Sequence, residues 1–138
     1  MKNRVIGISV MLFCGCAMPE QPEMTIQERM FIKEIESTYH CVVEREIDPV
    51  YLKRSLSAPK FYYFALRNLK CTYMDSVNLG DLSKKISIEL YDRVLESDSL
   101  YNRENEEYKV IIGFSCTIGP DQYRRESFEY KSRELGKK

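Results

Sequence analysis

The stretch from Tyr108 to Ile118 constrains this chain most. Tyr108, Val110, Ile112, Phe114, Cys116 and Ile118 alternate with Lys109, Ile111, Gly113, Ser115 and Thr117. Successive side chains of a strand point to opposite faces, so a period of two describes a strand with one face buried. The apolar even-numbered set is the expected core face. Gly119-Pro120-Asp121 has the chemistry of a turn. Residues from Tyr123 to Ser132 then return as a second strand, with Phe128 and Tyr130 facing inward. A two-stranded hairpin is marginal in water by itself, so other elements must cover its apolar face. The charged tail from Arg133 is expected to fray.

Those other elements can be read upstream. Thr25-Ile26-Gln27-Glu28 fits a capping box, in which the Thr and Glu side chains each satisfy a free backbone N–H at a helix start. Phe31, Ile35, Tyr39 and Val42 then recur at helical spacing, which predicts a helix running to Arg45, short of Pro49. Residues 47–59 read as a connector. The aromatic run Phe61 to Leu69 reads as a strand, apolar on both faces at its start. Asn78, Gly80 and Asp81 mark a turn and cap, and Leu82, Ile86, Leu90 and Val94 follow as one stripe of a second helix. Residues 96–107 read as an acidic loop. The order α-β-α-β-β in 138 residues predicts one small α+β domain over 25–138, a small sheet with helices on one face.

The first residues have a different character. Lys2 and Arg4 precede an apolar run from Val5 to Phe13, and Cys14, Gly15, Cys16 and Ala17 follow. This is the basic, apolar, small-residue order of a secretory signal peptide. The run is shorter than the roughly 20 residues needed to span a bilayer. Leu12-Phe13-Cys14-Gly15-Cys16 resembles the lipobox of bacterial lipoproteins, with Phe13 standing where an aliphatic residue is usual. The resemblance implies a signal peptide over 1–16, lipid attachment at Cys16 as the mature N-terminus, and a place in the bacterial cell envelope, at the outer or inner membrane. The alternative is ordinary cleavage near Ala17 and a soluble periplasmic or secreted protein. Residues 17–24, with Pro19, Pro22, Glu20 and Glu23, read as an extended tether that folding does not need.

Charge and composition narrow the function. Lys plus Arg and Asp plus Glu each number 21. Loss of Lys2 and Arg4 with the leader leaves the mature chain slightly acidic, so no nucleic-acid partner is expected. His40 is the only histidine, which leaves no histidine pair for catalysis and no His-rich metal site. His40 and Cys41 are neighbours on the expected helix and point about 100° apart, so they do not make a nucleophile pair. Cys41, Cys71 and Cys116 are odd in number and are expected as free, buried thiols. The acidic loop lacks the spacing of a calcium loop.

No catalytic residue, metal or cofactor is therefore expected. The reading is a non-enzymatic binding domain on a lipid anchor, attached to the membrane through its N-terminus and taking a protein or small-ligand partner. Its candidate binding surface is Tyr62, Tyr123, Arg124, Arg125 and Tyr130, because tyrosines supply contact area with a polar tip and arginines grip anions. The alternatives are a secreted or anchored carboxylate-dependent hydrolase and an immunity-like partner protein.

Overall fold

A computed structural model describes residues 21–48, 61–98 and 107–136. The lipobox with Cys16, all of the expected connector past residue 48 and most of the acidic loop lie outside these. The chain folds as an α+β domain built on a four-stranded mixed sheet in the order β1-β2-β3-β4. In sequence it runs α1 (Ile26–Tyr39), β1 (Val42–Ile47), β2 (Phe61–Leu69), α2 (Cys71–Ser76), α3 (Leu79–Leu90), a π-helical turn (Tyr91–Leu95), β3 (Lys109–Gly119), β4 (Gln122–Lys131) and α4 (Ser132–Leu135). β1 and β2 are antiparallel, β2 and β3 parallel, and β3 and β4 antiparallel.

β1 is an addition to the expected order. The helical stripe does not continue to Arg45. α1 stops at Tyr39, and His40 takes a left-handed conformation with φ 52°. Val42 and Val43 are β-branched, and their stiff side chains favour the strand that follows. Thr25 caps α1 as expected, its hydroxyl accepting from the Glu28 N–H at 3.1 Å. The other half of the capping box is diverted. Glu28 is 2% exposed, accepts a hydrogen bond from the Tyr62 hydroxyl, and lies 3.5 Å from Arg45 Nε.

β2 covers the residues expected of it, and α3 begins at its Asn78 cap, whose side chain accepts from the Asp81 N–H at 3.0 Å. Val110, Ile112, Phe114 and Cys116 face the core, together with Tyr62, Phe64 and Leu66 of β2. Phe31 and Ile35 of α1 and Ile86 and Leu90 of α3 close this core from the helical side. Arg93 of the π-helical turn lies over the Phe31 ring at 5.0 Å and grips Glu34 through two N–H groups. Ile118 departs from the alternation: a bulge between Thr117 and Gly119 shifts the register, and it is 63% exposed. The C-terminal tail does not fray at Arg133. α4 buries Leu135, and Ser132 and Tyr108 exchange hydrogen bonds across the end of the hairpin.

Two further expectations are corrected. Cys71 and Cys116 form a disulfide, with Cα atoms 5.3 Å apart, and Cys41 alone is free among the described cysteines. Leu69 pairs with Cys116 across the parallel strands, and α2 turns the chain back so that Cys71 meets its partner. Residues 21–24 do not hang free. The Gln21 side chain accepts from the Ile47 N–H at 2.7 Å, the Pro22 carbonyl accepts from the Arg45 guanidinium, and Met24 packs on the core.

Candidate functional site

The helices cover one side of the sheet. The other side carries a trough of about 430 Å³, lined by residues of all four strands. Its floor follows from the register. Glu44, Ala65, Gly113 and Ser127 stand side by side across β1, β2, β3 and β4. Small side chains at the two central positions leave a depression where larger ones would fill the sheet face. Tyr63 closes one side of it. A Cβ added to Gly113 would come within 2.5 Å of the Tyr63 hydroxyl oxygen and 3.6 Å of the Ala65 Cβ, so only glycine lets Tyr63 lean across β3.

Arg67, Ser115, Thr117, Tyr123 and Arg125 line the rest of the trough. Arg67 Nε lies 3.2 Å from Glu44 Oε2, with both side chains about half exposed. The Arg125 guanidinium sits over the Tyr123 ring at 5.6 Å, and Tyr123 is 56% exposed. The Glu44 carboxylate at the trough is held by Arg67, whereas Glu126 turns its carboxylate to the helical side, where Arg124 holds it at 2.8 Å. Among the described residues, no group of three or more His, Cys, Asp or Glu side chains is placed to hold a metal ion.

The structure divides the residues expected to form one surface. Tyr123 and Arg125 lie at the trough. Tyr62 is fully buried, its hydroxyl donated to Glu28, so it offers no surface. Arg124 and Tyr130 point to the helical side, because residues of even number on β4 face the core. Tyr130 lies 2.5 Å from the Ser83 hydroxyl, and Arg124 bonds Asp75 and Glu126, which hold its guanidinium firmly protonated. Cys16 is outside the described residues. Tyr63, Ala65 and Gly113 went unread as site residues. Gly113 was the available signal, a glycine inside an alternating strand, which often marks close approach of another group.

Cys41 is half-buried, and burial, aided by Glu36, pushes its thiol up to about 11. A thiol so shifted is a poor nucleophile at neutral pH. Among the described residues, no helix is long and apolar enough to cross a membrane. Comparison with protein-family models, curated proteins and solved structures found no match for this chain.

Proposed function

We propose that this chain is a small lipid-anchored protein of the bacterial cell envelope whose domain binds a partner through the uncovered face of its sheet and performs no chemistry itself. The observation that carries this reading is the trough over Ala65 and Gly113. Its volume of about 430 Å³ falls in the range of sites that hold a small ligand or a short peptide segment. Tyr63 and Tyr123 add rigid amphipathic area on its flanks. Among the described residues lining the trough, Glu44 alone presents its carboxylate to it, which favours binding over a hydrolysis that uses two converging carboxylates. The Gly15-Cys16 pair supports the anchor.

Two experiments test the two halves. In cells fed radioactive palmitate, the protein should carry label and the Cys16→Ala variant should not; retention of label by that variant would remove the anchor. For the binding face, a photoreactive phenylalanine analogue replaces Arg67 at the trough or Met30 on exposed α1. Illumination should give a defined adduct with another molecule from position 67 and none from position 30. Adducts from position 30 alone would place binding on the helical side.

A further inference from the structure

The sheet has two outer strands, and they are finished differently. On β1 the Glu36 side chain accepts from the Val43 N–H at 2.9 Å and Gln21 accepts from the Ile47 N–H at 2.7 Å. Side chains thus close that edge. β4 is ten residues long and, among the described residues, pairs with β3 alone. Among the described residues, no side chain closes its outer edge in the same manner. An open edge of this length is a template for another strand.

The order of charges along β4 says which strand fits. Consider two copies of β4 lying antiparallel about a two-fold axis. Opposed residues then share a face of the sheet, and the residue on the axis fixes the register. With Arg125, Glu126 or Glu129 on the axis, that residue meets its own copy, like charge against like. With Phe128 on the axis, Arg125 faces Lys131. With Ser127 on the axis, Arg125 faces Glu129 twice, Tyr123 faces Lys131 twice, and no like charges are opposed. Opposite charges and a cation against an aromatic ring are favourable cross-strand neighbours, and like charges are not. Charges on an outer strand ordinarily discourage pairing; here, with Arg124 on the axis also meeting its own copy, their order discourages every centred register that pairs five or more residues of β4, save the one centred on Ser127.

We propose that the chain forms a homodimer by pairing β4 with β4 of a second copy, antiparallel, with Ser127 on the two-fold axis. The side chains concerned are accessible. Tyr123, Arg125, Ser127, Glu129 and Lys131 are exposed, and the Glu129 contact with Lys109 is a surface pair at 3.4 Å with both partners over half exposed. Arg125 has no carboxylate partner among the described residues. Lys131 already stands opposite Lys109 within the sheet, so an aromatic neighbour on its other side is favourable. Ser127 ends the row Glu44, Ala65, Gly113, Ser127, so the rows of the two copies join into one trough across eight strands.

The test uses the full chain in mild detergent with Cys14, Cys16 and Cys41 changed to serine. Opposed residues in an antiparallel pair have Cα atoms about 4.5–5.5 Å apart, within the reach of a disulfide. Ser127→Cys should therefore give a covalent dimer on mild oxidation. Glu129→Cys alone should stay monomeric on a non-reducing gel, while a mixture of Glu129→Cys and Arg125→Cys copies should cross-link. In sedimentation equilibrium, Arg125→Glu should weaken self-association at least tenfold, and adding Glu129→Arg should restore it. A protein that stays monomeric at every concentration overturns the proposal. So does equal cross-linking from Ser127→Cys and Glu129→Cys, or a dimer indifferent to Arg125→Glu. None of these outcomes bears on photoadducts with other molecules from position 67, so dimer and trough stand or fall separately.

Discussion

Phe114 is 2% exposed, and its ring lies 6.2 Å from that of Phe128. Removing a buried phenylalanine costs about 3–5 kcal/mol, a large part of the 5–15 kcal/mol that holds a domain together. Phe114→Ala should lower the urea midpoint sharply, while Lys109→Ala, exposed on the same strand, should leave it nearly unchanged. Glu28 is a second sensitive position. Glu28→Ala would strand Arg45, whose side chain is 2% exposed, and should cost about 3–5 kcal/mol. Tyr62→Phe removes one hydrogen bond and leaves the ion pair, so about 1 kcal/mol is expected. Both are read from denaturant melts. Cys41, with its thiol near 11, should have only about one part in a thousand as thiolate at pH 8. It should react slowly with a disulfide reagent until the protein is unfolded. The unfolded thiol titrates near 8.5. Its folded value is higher, so its contribution to stability is intact below about 8.5 and fades as pH rises toward 11. Of these residues, Phe114 could be read from its place in an alternating strand. The role of Glu28 could not, because its local capping position and its distant partners Arg45 and Tyr62 compete for one side chain.

The elements place two further predictions. Gln21 and Pro22 tie the chain ahead of α1 to β1, and Pro22 accepts from the buried Arg45. A chain beginning at Thr25 should melt several degrees below one beginning at Gln21, because two hydrogen-bonding groups on β1 lose partners. The disulfide joins the start of α2 to β3 across 45 residues of sequence. In the chain-entropy model, closing a loop of that length stabilises by about 4 kcal/mol. Dithiothreitol should therefore lower the melting temperature by about ten degrees or more. With Cys14 and Cys16 changed to serine, the unfolded protein should titrate one thiol before reduction and three after. The hairpin, β2 and α3 were legible because each buries a clear face with local punctuation. The boundary between α1 and β1 was not. Tyr39 and Val42 fit a helical stripe as well as they fit opposite sides of a break, and nothing local announces a left-handed His40. The disulfide depends on β2 lying parallel beside β3, a pairing across a long crossover that local pattern does not contain.

At the scale of the molecule, one face of the sheet builds the core and the other carries the candidate site, the trough. The α+β class could be read from the order of elements, since both the hairpin and the helices need a common layer to cover. The site was legible only in part. Tyr123 and Arg125 were picked from composition near a hairpin and do reach the trough, whereas Tyr62, Arg124 and Tyr130 sit one residue out of phase with them and face the helices. Strand parity decides between the two faces, and it depends on a register set by the bulge near Ile118. The depression itself arises from Ala65 lying beside Gly113, a juxtaposition between strands far apart in sequence. The central claim is that this depression holds the partner. It is tested most directly by the photoadduct yield from position 67 in two backgrounds, Gly113→Val and Ser115→Trp, each checked for an unchanged circular dichroism spectrum and a cooperative melt. Both substitutions fill the trough, one by displacing Tyr63 and the other from β3 directly. The account predicts that each lowers the yield at least tenfold. An undiminished yield in two folded variants would contradict it.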